Sequence, residues 1–153
     1  MTAMPASQDQ HNPNALPTCA VVICAYTEDR WDDTLRAVAS VQAQQPPPHD
    51  LILVVDHNSE LQARFVEVLP DVRVVANRHD RGISGARNTG VELTNSDIVA
   101  FLDDDAAAEP GWLEGLIRNY ADPKVLGVGG RIEPGWSTTR PRWWPPEFDW
   151  VVG

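Results

Sequence analysis

Short apolar runs and segments with helical spacing alternate along this chain. Each run contains almost no polar residue and is followed by a polar stretch, which is the pattern of a buried strand. The runs cover residues 19–25, 51–55, 72–76 and 98–102, and a shorter run at 125–128 predicts a fifth strand. Because helical segments separate these strands, the sequence predicts an α/β fold with a mainly parallel sheet flanked by helices.

Helical spacing marks the segments between the strands. The first helix carries Asp32 and Asp33 in its first turn and ends before Pro46. Ser59 and Gln62 form a capping box that opens the second helix. Two further helices are predicted from apolar positions at helical spacing: Ile83, Ala86, Gly90 and Leu93, then Trp112, Leu113, Leu116, Ile117 and Tyr120, with Pro110 at the first position of the last helix.

Carboxylates follow three of the predicted strands. The fourth strand runs directly into the acids at 103–105, Asp56 follows the second strand, and Glu28 lies in the loop after the first. Right-handed crossovers bring these strand ends to one edge of the sheet, where α/β folds bind ligands. Adjacent carboxylates repel one another unless a cation or a proton intervenes, and Mg²⁺ and Mn²⁺ prefer oxygen ligands. The cluster therefore indicates a divalent-metal site, with a solvated acidic turn as the alternative.

The overall charge argues against nucleic acid as a partner. The 153 residues include 12 basic and 22 acidic side chains, so the net charge is -10 at pH 7. No run of Lys or Arg offers the positive surface that phosphate backbones require. The length suits one domain, and a small anionic ligand would need a metal and a few arginines to offset the field locally.

The N-terminal residues and the cysteines indicate the cellular compartment. Residues 1–17 are polar and contain prolines, which predicts a disordered tail and not a signal peptide. No apolar run approaches the ~20 residues that cross a membrane, so we expect no membrane span in this chain. Cys19 and Cys24 lie roughly 16 Å apart on one strand at ~3.3 Å per residue, too far for a disulfide with each other. These features predict a cytoplasmic protein.

Four motifs occur in the order and spacing of a known family. They are V-V-I-C-A-Y, V-V-D-H-N-S, R-G-I-S-G-A-R-N-T-G and F-L-D-D-D, within residues 19–130. Together they resemble the family 2 inverting glycosyltransferases, whose fold is the Rossmann-like GT-A, or nucleotide-diphospho-sugar transferase, fold. The resemblance implies a domain at 18–130 that binds a nucleotide diphosphate sugar. It also implies inverting transfer of the sugar to an acceptor, an unknown glycan or lipid-linked molecule.

The same resemblance implies roles for individual residues. It assigns Ala25, Tyr26 and Glu28 to the base pocket, Asp56 to an N–H of uracil or a similar base, Arg87 to the nucleotide, Asp103 and Asp104 to the ribose, and Asp105 to Mn²⁺ or Mg²⁺. Simpler structural roles stay open: strand-end packing for Tyr26, a turn or helix cap for Asp56, a surface position for Arg87, and tight helix packing for Gly82, Gly85 and Gly90.

Residues 131–153 are rich in tryptophan and proline and resemble the start of an acceptor-side region. Members of the family usually continue further and carry a general base there, so we expect this chain to be truncated. A non-catalytic nucleotide-sugar-binding fragment is the alternative to a working transferase. Trp136, Trp143 and Trp144 could stack on acceptor sugars or pack in a core or lid, and Glu133, Glu147 and Asp149 are the only acids late enough to act as the base.

Overall fold

The computed structural model of the protein describes residues 16–136 and 139–152 and contains one parallel sheet. Its strands are β1 Cys19–Ala25, β2 Asp50–Val55, β3 Arg73–Ala76 and β4 Ile98–Asp103. They lie in the order β3-β2-β1-β4, and every neighbouring pair is parallel. The α/β fold with a mainly parallel sheet is confirmed.

Helices cover both faces of this sheet. They are α1 Trp31–Gln42, α2 Ser59–Val68, α3 Ile83–Glu92 and α4 Trp112–Ile117, with short 3-10 helices at Glu28–Arg30, Arg118–Ala121 and Pro146–Val152. One core cluster joins α1, α2 and α4 to the face that carries Val21 and Ile23, and a smaller cluster joins Ala86 of α3 to Val22 on the other face. Successive residues of β1 thus point to opposite faces, which explains why its run is apolar throughout.

The strand register brings the predicted acids to one edge. Cys24 of β1 pairs with Val54 of β2 on one side and with Asp103 of β4 on the other. The three strands therefore end at the same level of the sheet. The residues that follow each of these strands therefore lie at this edge, which is the edge where open α/β sheets bind ligands.

Local predictions at helix starts fared less well. The capping box at Ser59 is wrong, because the side chain of Asn58 accepts the hydrogen bond from the Leu61 N–H (3.1 Å) and Ser59 is already helical. Pro110 is not the first residue of α4. Gly111, which lies between Pro110 and α4, has a left-handed backbone (φ 81°), so the helix begins only at Trp112.

The predicted fifth strand is also wrong. Residues 125–130 form no strand, and the side chain of Leu126 is 95% exposed, so this apolar run lacks the burial that holds a strand in a sheet. The predicted tail lies outside the described residues, except for its last two positions. Within the described part of the chain, no helix combines the length and the apolar character needed to cross a membrane.

Gly90 lies where α3 approaches β1 most closely. A β-carbon at this position would lie 2.5 Å from Cγ1 of Val22, so the predicted tight helix packing is confirmed here. We expect Gly90→Ala to lower the free energy of unfolding by about 1–3 kcal/mol, the usual cost of overpacking a core. Urea denaturation measures the change.

Gly115 offers a matched control for this substitution. It also lies inside a helix, α4, but a β-carbon there would meet no atom within 4 Å. Gly115→Ala should leave the stability unchanged or raise it by up to about 1 kcal/mol, since alanine favours helices. Equal losses at the two positions would contradict the packing explanation.

Candidate functional site

A cavity of about 630 Å³ opens at the C-terminal edge of the sheet. It combines the ends of β1, β2 and β4 with the start of α3. Its lining residues are Cys24, Ala25, Tyr26, Arg30, Asp56, Arg81, Gly82, Ile83, Ala86, Asp103, Asp104 and Asp105. Six of the eight predicted site residues therefore meet in one cavity, and Glu28 and Arg87 are the two that do not line it.

The acid cluster begins with the last residue of β4 and continues into a turn. Asp104 is 4% exposed, whereas Asp103 and Asp105 are exposed. Nη1 of Arg30 donates to Oδ1 of Asp104 (2.7 Å) and lies 3.2 Å from Oδ2 of Asp105. The other oxygen of Asp104, Oδ2, is buried and has no hydrogen-bond partner among the described residues. A buried carboxylate oxygen of this kind calls for a donor or a cation.

The electrostatics of the cluster suit a hard divalent cation. The pKa of Asp104 is raised, chiefly by burial. The hydrogen bond and the charge of Arg30 lower this pKa, and the charges of Asp105 and Asp103 raise it further. Burial raises the pKa of the Cys24 thiol to about 11, so this side chain stays protonated near neutral pH. Carboxylate oxygens are therefore the available ligands, and Mg²⁺ and Mn²⁺ favour oxygen.

The cluster does not by itself form a complete coordination shell. Within residues 16–136 and 139–152, no group of three or more His, Cys, Asp or Glu side chains is arranged to hold a metal. One or two carboxylates from this edge fit the usual way in which Mg²⁺ is bound, with phosphates and water as the other ligands. The residues present thus fit a cation that arrives together with a phosphate-bearing ligand.

Asp56 anchors the opposite wall of the cavity. Its Oδ1 accepts from Nδ2 of Asn77 (2.6 Å) and lies 2.8 Å from Nδ1 of His57, and its Oδ2 accepts from the Gly82 N–H (2.9 Å). Burial would raise the pKa of Asp56, but the hydrogen bonds from Asn77, His57 and Gly82 outweigh it and lower the pKa. The ionised carboxylate ties the end of β2 to the end of β3 and to the start of α3.

Tyr26 and Glu28 follow β1 and point in different directions. The side chain of Tyr26 is 57% exposed at the cavity, which favours contact with a ligand over strand-end packing. The carboxylate of Glu28 instead pairs with Arg64 of α2 (3.0 Å), whose guanidinium lies over the Trp31 ring (4.2 Å to its centroid). Trp31 in turn stacks on Phe65. The carboxylate of Glu28 thus contacts α2 and does not line the cavity.

Arg87 stands beside the acid cluster, just outside the lining. Its Nη2 lies 3.2 Å from Oδ1 of Asp103, and its guanidinium lies over the ring of Phe101 (5.2 Å to the centroid). It therefore offsets part of the negative charge of the cluster from α3.

A larger depression, of about 810 Å³, is lined by the loop that precedes α3 and by the start of α3. It shares Arg81, Gly82 and Ile83 with the first cavity but contains none of the acids from β4. We place the site in the smaller cavity, because only there do titratable groups from several strands converge.

Comparison with known proteins decides the family. The family profile described as Glycosyl transferase family 2 matches residues 20–151. The chain belongs to glycosyltransferase family 2. Its four motifs and its sheet agree with this assignment, and the GT-A fold is confirmed.

Individual relatives cover more than one activity. The chain is 41% identical over 139 residues to the glucosyl-dolichyl phosphate glucuronosyltransferase of Haloferax volcanii, covering 88% of this chain and 44% of that protein. It is 39% identical over 84 residues to the pre-mycofactocin glycosyltransferase of Mycobacterium tuberculosis, covering 53% of this chain and 18% of that protein. The chain thus spans less than half of the length of either relative.

A solved structure supports the fold. The mannosyltransferase PcManGT of Pyrobaculum calidifontis, in complex with GDP-Man and Mn²⁺, superposes with a TM-score of 0.56 at 21% identity, covering 74% of this chain and 35% of that one. At this identity the likeness concerns the fold alone.

This family 2 chain also contains site residues that sequence reasoning did not select. Arg30 bridges two acids of the cluster, and Arg81 lines the cavity with Nη2 3.4 Å from the carbonyl oxygen of His57. Outside the cavity lining, the buried Gln44 ties the end of α1 to the start of α4: it donates to the carbonyls of Ser40 and Glu109 and accepts from the Leu113 N–H. Both arginines lie in polar loops of the sequence, each close to a residue predicted to bind the ligand, and this position could have marked them. Nothing in the sequence around Gln44 marked it.

Proposed function

We propose that this chain is the donor-binding part of an inverting glycosyltransferase that holds a nucleotide diphosphate sugar together with Mn²⁺ or Mg²⁺. One observation carries the proposal. The buried, unpartnered Oδ2 of Asp104 lies in an acid cluster that shares a cavity with Asp56 and Tyr26. Asp104 would then accept from a ribose hydroxyl, the neighbouring Asp105 would hold the cation, and Asp56 would accept from the base, which are the contacts that a nucleoside diphosphate requires.

The nucleobase would lie between the ends of β1 and β2. Among the described residues, Oδ1 of Asp56 has two partners and Oδ2 has one, the Gly82 N–H. A lone pair of Oδ2 would therefore accept from an N–H of uracil or a similar base. The lowered pKa keeps the carboxylate ionised, which strengthens that bond. Ala25 and the exposed Tyr26 would form the rest of the pocket.

The diphosphate would lie over the acid cluster. Asp103 and Asp104 would face the ribose, Asp105 would hold the cation, and Arg87 would add positive charge from α3. A bound dication stabilises the negative charge that develops on the leaving diphosphate, acting as a Lewis acid. In a chain with a net charge of -10, such compensation is needed for any diphosphate to approach.

Titration of the purified chain tests the proposal. UDP, GDP, ADP and CDP are added in the presence of Mn²⁺, Mg²⁺ or EDTA, and the heat of binding is recorded. We expect at least one nucleotide to bind with either metal and to lose most of its affinity in EDTA. Binding of none of them, with or without metal, would refute the donor site.

Asp56→Ala tests the base pocket separately. We expect it to weaken binding of the nucleoside diphosphate by roughly 1.5–3 kcal/mol, as for a lost hydrogen bond to a charged group, and to leave the affinity for Mn²⁺ alone nearly unchanged. Calorimetry at constant Mn²⁺ measures the difference.

Asp71→Ala is the matched control, because it removes the same charge from an exposed position before β3, away from the cavity. It should bind like the unmodified chain. An Asp56 variant that lost stability but bound normally would identify Asp56 as a structural turn residue only.

The second candidate function is binding of a nucleotide sugar without transfer. It is favoured by the lining of the cavity, where Asp56 and the acids at 103–105 are the only carboxylates within the described ranges. In the proposal above, all four bind parts of the donor or its cation, so none of them is left to deprotonate an acceptor. Turnover of a labelled donor with a glycan or lipid-linked acceptor separates the two candidates.

A further inference from the structure

Arg30 occupies the position between the two acids where a cation would be expected. It ends the 3-10 helix Glu28–Arg30 that follows β1, and a single nitrogen, Nη1, contacts Asp104 at 2.7 Å and Asp105 at 3.2 Å. Its side chain lines the cavity. One positive group thus bridges two carboxylates of the cluster from the loop that forms the base pocket.

The two contacts differ in strength. Asp104 is buried, so loss of Arg30, whose own side chain is 38% exposed, would leave a buried charge without its partner. The side chain of Asp105 is 48% exposed and its contact is longer, so water and ions compete for it readily. Asp105 is therefore the carboxylate that can exchange Arg30 for another cation.

We propose that Arg30 couples the binding of the cation to the binding of the donor, an inference that rests on the proposed function. In the absence of donor, Arg30 competes with the divalent cation for Asp105 and weakens its binding. A diphosphate next to both positive groups relieves their repulsion and accepts hydrogen bonds from the guanidinium, whose planar N–H groups suit phosphate. Metal and nucleoside diphosphate should therefore each strengthen the binding of the other, as linkage requires.

Arg30→Gln tests this coupling in two titrations, because it removes the charge and keeps a side chain that can hydrogen-bond to Asp104. Mn²⁺ alone should bind more tightly to the variant, by at least about 5-fold, the lower end of usual couplings between sites. UDP and GDP in saturating Mn²⁺ should bind less tightly by a similar factor. The two effects have opposite signs, which a general loss of structure would not produce.

Arg36→Gln is the matched control. Arg36 lies on α1, is exposed, and pairs with Asp33 (2.7 Å) away from the cavity. Both of its affinities should stay within about 2-fold of those of the unmodified chain, well below the usual range of coupling. If Arg30→Gln instead weakened Mn²⁺ binding, or left it unchanged, the inference would be overturned.

A second variant applies if Arg30→Gln does not fold, as judged by circular dichroism. Arg30→Lys keeps the charge but loses the planar fork, so Mn²⁺ alone should bind as in the unmodified chain and UDP with Mn²⁺ should bind more weakly. Unchanged UDP binding in this variant would overturn the inference. If the unmodified chain bound neither Mn²⁺ nor any nucleotide, the proposed function itself would fail, which is a distinct result.

Discussion

Asp105→Ala is expected to abolish the metal dependence of nucleoside diphosphate binding together with most of the affinity. Asp105 lines the cavity, its side chain is 48% exposed, and its contact with Arg30 is the longer of the two that Arg30 makes, so its carboxylate can exchange that contact for a cation. Changes to outer-shell partners of a metal already cost ~10–100-fold in affinity, so loss of the ligand itself should cost on the order of 100-fold or more. Calorimetry with UDP or GDP, in Mn²⁺ and in EDTA, measures both quantities.

Asp33→Ala serves as the control for this change. Asp33 is also half-exposed and paired with an arginine, but it lies on α1 and outside the cavity. It changes the net charge equally and should retain metal-dependent binding. The Asp105 variant should keep its fold, since the hydrogen bond from Arg30 to the buried Asp104 is untouched. Equal affinity of the unmodified chain in Mn²⁺ and in EDTA would show that Asp105 holds no cation.

The bounds of the strands could be predicted closely, because a strand that is buried on both faces appears in the sequence as a continuous apolar run. β1 has the predicted bounds, β2 begins one residue earlier, and β4 extends one residue further to include Asp103. The meeting of acids from three strands also followed, since parallel strands with right-handed crossovers end at one edge. Composition and spacing are enough for such conclusions, because they depend on the backbone path and not on side-chain directions.

The directions of polar side chains could not be predicted in the same way. Glu28 has the sequence position of a base-pocket residue, yet its carboxylate pairs with Arg64 of α2, which is far away in the sequence. Asp56 accepts from Asn77 and from the Gly82 N–H, two partners that only the packing of β3 and α3 brings together. Ion pairs and hydrogen bonds of this kind depend on tertiary neighbours, which no local pattern records.

The same limit applies to the ends of helices. Asn58 and Ser59 are both good capping residues, and the sequence alone favoured Ser59 because of Gln62 three positions later. The side chain of Asn58 reaches the Leu61 N–H, and its amide also donates to the carbonyl of Tyr26 (3.3 Å). A contact to the end of β1 thus accompanies the choice of cap and links α2 to the wall of the cavity.

The 153-residue chain by itself is expected to bind the donor but to transfer sugar slowly or not at all. A transferase of this kind needs a carboxylate that deprotonates the acceptor hydroxyl, and such a base contributes typically ~10²–10⁴-fold to the rate. Among the described residues, the late acids are engaged or lie at the surface: Asp149 pairs with Arg140 and accepts from Nε1 of Trp144, Glu133 pairs with Arg131, and Glu147 is exposed. None of them lines the cavity.

The assay supplies labelled nucleotide sugars, Mn²⁺ and a broad mixture of glycan and lipid-linked acceptors to the purified chain. We expect donor binding without transfer above the rate seen in EDTA, and no change in that rate in Glu147→Gln or Asp149→Asn. Fast, metal-dependent transfer that either variant abolished would identify that carboxylate as the base. It would also mean that the segment around Trp144 moves over the cavity when an acceptor binds, because a general base must come within hydrogen-bond reach of the hydroxyl it deprotonates.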